Sequence, residues 1–190
     1  MATLCTGGNL QERSSRTEGW SAIRGPLWIT LGITFALVLR VASVWSDLPE
    51  TMASHFGAGG RPNDYMSKVP FFWFLAVSAG GSIALVFAAA GMLKRLPTRW
   101  ISIPNRDYWL ATEERRELAM NRIAGPMAWI GLLTAALLAV AVELTIRANL
   151  ERTNFANDAF IVLMVGYLLL VAAITIWMIR DLARLAQRER

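Results

Sequence analysis

Four apolar runs, residues 26–45, 69–93, 124–146 and 159–179, constrain this chain more than any motif in it. A helix needs about 20 apolar residues to cross the hydrocarbon of a bilayer. Lipid offers no water to unpaired N–H and C=O groups, so runs of this length read as helices. No period-2 alternation points to a membrane barrel. Hydrophobic residues make up 55% of the chain and charged ones only 17%, too apolar for an ordinary soluble domain. The expectation is an all-α polytopic membrane protein with four transmembrane helices. A loosely ordered polar tail (1–25) would precede a four-span domain (26–179), and a basic tail (180–190) would follow. Within the domain lie an outer loop (46–68) and a cytoplasmic connection (94–123).

Basic residues set the expected threading. Of nineteen Lys and Arg, fourteen fall in the N-terminal tail, the connection after span two and the C-terminal tail. Four (Arg61, Lys68, Arg147, Arg152) fall in the other two connections, and Arg40 lies inside span one. Cationic loops stay in the cytoplasm, so both termini are expected there, with loop 46–68 outside. The arginines flank spans instead of forming one basic domain, which argues against a nucleic-acid partner. The lone cysteine, Cys5, excludes an intrachain disulfide and has no apolar stretch before it to make a lipoprotein signal.

Pro26 suits a helix start, and Trp28 and Trp45 fall where amphipathic rings meet the two interfaces. In span two Ala76, Gly80, Ala84 and Ala88 form a small-residue row that would let another helix approach closely. In the connection, Pro97 and Pro104 break any continuous helix. Thr112 would cap a helix opening with Glu113 and Glu114 and running towards Pro126. Trp100, Tyr108 and Trp109 would anchor this segment at the headgroups, and Asp107, Tyr108 and Trp109 are candidates for docking a cytoplasmic partner. The arginines Arg180, Arg184 and Arg188, at spacing four, make a basic face that anionic lipid would attract.

Catalytic chemistry is scarce. The Gly57–Gly60 run lacks the strand and helix of a nucleotide loop, and no serine sits in a nucleophile elbow. One histidine excludes a bis-histidine haem and leaves His55 as the only base for a triad. Neither enzyme activity nor a cofactor is expected, and an enzyme or transporter built on Arg40, His55 and Glu143 ranks last. His55 does have polar company in Asp47, Glu50, Asn63 and Asp64. These residues suit either a cation or a hydrogen-bonded loop, and the loop is favoured over a metal. On that reading His55 ties to an acidic or backbone acceptor.

Arg40 and Glu143 are the ionisable residues deepest in the spans. Counted from Pro26 and Pro126, their depths differ by only about 4–5 Å at 1.5 Å rise per residue. Each ends a small-residue row, Gly32–Ala36–Arg40 and Gly131–Ala135–Ala139–Glu143, of the kind that faces another helix. An unpaired charge there is costly, so the two are expected to pair.

The loop carries a resemblance. Leu48-Pro49, His55-Phe56, Gly59 or Gly60, Pro62, Asp64 and Lys68 together resemble the signature of a small bacterial membrane domain of unknown function. That domain forms the N-terminal part of SdpI-like proteins. The family includes an immunity protein that protects a cell from its own secreted toxic peptide and also acts in signal transduction. Residues 103–110 (IPNRDYWL) resemble a cytoplasmic motif in one branch of it. The immunity protein has further spans after this domain, which these 190 residues do not contain. The resemblance implies a multi-pass protein of the bacterial inner membrane whose outer loop engages a peptide or envelope ligand. Pro49, His55, Gly59, Asp64 and Lys68 would then be the ligand-binding or loop-structuring residues. The alternative is an accessory subunit packed into a larger membrane complex.

Overall fold

The computed structural model describes residues 7–188; Cys5 lies outside them. The chain is mostly helical. Four helices are long and apolar enough to cross a membrane, contributing the stretches Ser21–Val44, Lys68–Arg95, Glu113–Glu151 and Asn157–Arg188. Helix α1 covers Gly7–Val44, α2 Lys68–Met92, the short α3 Arg106–Trp109, α4 Glu113–Glu151 and α5 Asn157–Arg188. Strands β1 (Thr51–Phe56) and β2 (Pro62–Ser67) pair antiparallel between α1 and α2.

Two expectations change here. Helix α1 does not begin at Pro26; it starts at Gly7 and carries Pro26 within it, as α4 carries Pro126. Proline forfeits one backbone bond, and packing at that level offsets it. Ala22 of α1 lies against Gly125 of α4, beside both prolines, where a β-carbon on Gly125 would meet that of Ala22 at 3.4 Å. The fold is also not purely α, because the loop between α1 and α2 is a β-hairpin. Its 3-10 turn, Ala58–Gly60, requires the positive φ of Gly59 (76°) and Gly60 (74°), which glycine adopts without strain.

Helix α4 is the axis. It packs against α1, α2 and α5, whereas α1 and α2 touch each other little. Helices α1 and α4 run in the same direction at a constant offset. Ala22 lies beside Gly125 and Arg40 bonds Glu143, each pair 103 positions apart. Those two contacts are eighteen residues, or about 27 Å, apart along each helix. Gly131 and Ala135 of α4 are buried, and a β-carbon on Gly131 would press on Val86 and Phe87 of α2. The small row of α2 is placed differently. Ala76, Gly80 and Ala84 are exposed and border an apolar groove between α1 and α2, about 920 Å³ in volume, floored by Ala135 and Ala139.

The segment joining α2 to α4 is folded. It contains 3-10 turns at Leu93–Arg95 and Thr98–Trp100, a left-handed Asn105 (φ 52°) and α3. Thr112 caps α4, its hydroxyl accepting the amide of Arg115 at 3.3 Å. Helix α4 then continues through Pro126 to Glu151.

Candidate functional site

The hairpin closes one end of the bundle, and Lys68 is the pin that holds it. The last carbonyls of α1 have no partner within the helix, and this end of the helix dipole is negative. Amides of the following turn bond the Ala42 and Val44 carbonyls, and Lys68 enters that turn. Its Nζ donates to the carbonyls of Trp45 (3.3 Å) and Leu48 (3.2 Å) and to Glu50 Oε1 (2.9 Å), and it lies 5.1 Å from the centroid of the Trp45 ring. An ammonium has three donors, and all three are used. The residue is buried, with Glu50 exposed beyond it. Lys68 is therefore a structural clasp and offers nothing to a ligand.

Below the clasp lies an apolar seat. Val44, Leu48, Met52, Phe71, Val142 and Ile146 form one buried cluster, with Met52 and Ile146 wholly enclosed. Pro49 is half-buried beside it.

Two further clamps come from α4 and from the turn that follows it. Asn149 of α4, itself buried, holds the backbone of β1 by both groups of one residue. Its Oδ1 accepts the amide of Ala53 at 2.7 Å, and its Nδ2 donates to the Ala53 carbonyl at 3.2 Å. The amide side chain thus stands in for a neighbouring strand and closes that edge. At the hairpin tip, the amide of Phe155, in the α4–α5 turn, donates to the Gly60 carbonyl at 2.8 Å. The approach is so close that a β-carbon on Gly60 would run into the Phe155 backbone. The Phe155 ring packs on Phe56 and Phe160, with centroids 5.1 and 5.5 Å away.

The polar residues near His55 do not converge on it. His55 is exposed, and its Nδ1 donates to Oδ1 of Asn63 across the hairpin at 2.6 Å. The tie runs to an amide, not to the acidic or backbone acceptor expected from sequence. Glu50 serves Lys68, Asp64 accepts the amide of Tyr65 at 2.8 Å, and Asp47 takes a long bond from Ser46 at 3.4 Å. Among the described residues no three of His, Cys, Asp and Glu come together. Gly59 has open space where a side chain would go, so only its positive φ demands glycine.

Arg40 and Glu143 meet below the hairpin. Arg40 Nε donates to Glu143 Oε2 at 3.0 Å and Nη2 to Oε1 at 3.3 Å, a forked geometry. Arg147, one turn along α4, also donates to Oε1 at 2.7 Å. One carboxylate thus serves two guanidiniums and locks α1 to α4.

The opposite end corrects the docking expectation. Tyr108 and Trp109 are buried, Trp109 to 1% exposure, in a cluster with Ile101, Met120, Ile123, Leu182 and Ala186. Rings enclosed in that way present no surface to a partner. Of the three candidates only Asp107 is exposed. Trp100, exposed at 69%, is the aromatic residue left at the surface of that segment. Arginines fasten the rest. Arg116 Nη2 donates to the carbonyls of Lys94 (3.1 Å) and Leu96 (2.7 Å), and Arg106 donates to those of Ile101 and Thr98 at 3.1 Å.

Sequence reasoning missed Asn149, Phe155 and Arg116. For Asn149 a signal existed: an uncharged amide at the end of an apolar run, one turn beyond Thr145, whose carbonyl it also bonds at 2.9 Å. The others act on backbone groups far away in the chain and leave no pattern.

Comparison with known proteins adds a family match over this region. The family described as "Domain of unknown function (DUF1648)" matches residues 31–79. That stretch contains the second part of α1, the hairpin with its Lys68 clasp, and the first part of α2. A protein of Archaeoglobus fulgidus, called only "Uncharacterized protein", is 30% identical over 111 residues. That alignment covers 52% of this chain and 60% of the archaeal protein. No solved structure matches.

Proposed function

We propose that this chain is a non-enzymatic receptor of the bacterial inner membrane, SdpI-like in type, with both termini in the cytoplasm and the hairpin outside. The hairpin engages an extended peptide or another envelope ligand in a sensing or immunity role. One observation carries this reading: the two edges of the hairpin are treated differently. Asn149 occupies both backbone groups of Ala53 on the β1 edge, while β2 is exposed from Asn63 to Ser67 and its Tyr65 amide is held, among the described residues, only by the adjacent Asp64 side chain. An exposed strand is a ready template for an added strand, whose main chain supplies the bonds and whose side chains supply the selectivity. Tyr65, exposed at 59%, offers a ring to such a ligand. The excess of Lys and Arg around the opposite end supports the threading.

Two measurements test it. In a Cys5→Ser background, Tyr65→Cys should react with an impermeant thiol reagent on intact cells and Gln187→Cys should not; the reverse pattern ends the reading. A photo-reactive phenylalanine at position 65 should then capture a small peptide from cells. Capture of a large membrane subunit would favour the second reading, an accessory subunit. That alternative rests on the exposed row Ala76, Gly80 and Ala84 beside the groove.

A further inference from the structure

We propose that the end of the bundle opposite the hairpin holds an anionic phospholipid on α5, its phosphate on Arg180 and Arg184 and its glycerol region over Trp177. A cleft of about 340 Å³ runs there along one stripe of the helix, lined by Ala173, Ile176, Trp177, Arg180, Asp181 and Arg184. The stripe changes chemistry in the order a phospholipid does. Ala173 and Ile176 are apolar and line the cleft beside Trp177. Trp177 is an amphipathic ring, exposed at 58%. Arg180 and Arg184 follow one and two turns on. From Ala173 to Arg184 is about 16 Å along the axis, enough for a phosphate, a glycerol and the first acyl carbons.

Charge points the same way. Neither Arg180 nor Arg184 has a hydrogen-bond or ion-pair partner among the described residues. The carboxylate between them is already engaged: Asp181 Oδ2 accepts Arg122 Nη1 of α4 at 3.3 Å. Arg180 and Arg184 thus line the cleft with no carboxylate among the described residues paired to them, leaving an excess positive charge next to an apolar surface. Guanidinium forks match phosphate oxygens in pairs. The negative end of the α5 dipole does not oppose this, because that effect is confined to the last turn and Arg184 lies a full turn before Arg188. A free phosphate would use the arginines alone and leave Trp177 and the apolar end of the cleft without a role, so the lipid is the occupant. The site does not depend on the hairpin or on which way the chain is threaded.

The test is native mass spectrometry of the whole protein in a neutral detergent. The probes are phosphatidylglycerol and phosphatidylcholine with identical acyl chains, each with and without millimolar inorganic phosphate. The protein should retain phosphatidylglycerol preferentially. Near-surface arginines contribute about 1 kcal/mol each towards anionic lipid, so R180Q/R184Q should lower the preference about 20–30-fold and R180K/R184K should keep most of it. Arg122→Gln should also lower it, because the freed Asp181 then competes for the same guanidiniums. Arg95→Gln with Arg99→Gln, in the connection before α3, should leave it unchanged. Equal retention of the two lipids, or an unchanged preference in R180Q/R184Q, overturns the proposal. So does full displacement by inorganic phosphate, which would mark a phosphate site without lipid.

Discussion

The two ends of the bundle are closed by different means. At the hairpin end, above an apolar seat, single polar groups grip backbone: Lys68 on the carbonyls of Trp45 and Leu48, Asn149 on both groups of Ala53, and the Phe155 main-chain amide on the Gly60 carbonyl. At the other end, arginines also grip carbonyls, but around a buried aromatic core centred on Trp109. The hairpin end keeps β2 exposed from Asn63 to Ser67, while the other end encloses Tyr108 and Trp109 and leaves Trp100 and Trp177 at the surface. Directional bonds fix a thin element in place without covering it, whereas an apolar core stabilises only by covering. The hairpin end thus leaves a strand at the surface, and the other end packs two rings into a core.

Mutations can break that contrast, and the largest effect should come from the closed end. Trp109→Ala removes a fully enclosed ring and should cost about 3–5 kcal/mol in unfolding measured in detergent. A loss below about 1 kcal/mol would place the ring at a surface, where burial counts for little.

Gly60→Ala comes next. It combines a positive φ with a collision at the Phe155 backbone and should cost about 2–3 kcal/mol, with the Phe155 amide losing protection from exchange. Gly59→Ala, with the same φ and open space, should cost only about 1 kcal/mol. Equal losses at the two positions would deny the tip clamp.

Asn149→Leu keeps the bulk but strands the amide and carbonyl of Ala53, for about 2 kcal/mol. Fast exchange at Ala53, with Trp109 still protected, would show that the two ends open separately. The ion pair at the hairpin end is partly exposed, with side-chain exposures of 38% for Arg40 and 25% for Glu143. Arg40→Met should cost only about 1 kcal/mol, because Glu143 keeps Arg147 as a partner. Glu143→Gln should cost more, since it leaves two guanidiniums without their carboxylate. The double variant should lose less than the sum, and strict additivity would mean no coupling. His55→Ala should be smallest, within about 0.5 kcal/mol, because the side chain is exposed and serves one bond. A loss of ligand capture at Tyr65 in that variant, with stability unchanged, would move His55 from loop structure into recognition.

Sequence by itself determined what depends on local composition and period. The four long apolar helices follow from runs that backbone chemistry permits only as helices in lipid. The Thr112 cap follows from a hydroxyl placed before two acidic residues. Arg40 with Glu143 is legible because two opposite charges stand at matching depth among apolar neighbours, which leaves each few other partners. Tertiary structure decided the rest. The hairpin is too short to be stable alone; it forms because Met52 finds a seat made by α1, α2 and α4, and because Asn149, 96 positions from Ala53, completes its edge. Tyr108 and Trp109 look like interface anchors in sequence and become core because Leu182 and Ala186 of α5 close over them. Pro26 and Pro126 read as boundaries and lie inside helices, where close packing of α1 on α4 offsets a single lost bond. Each of these outcomes is set by groups far apart along the chain, and no local pattern encodes which distant residue will arrive.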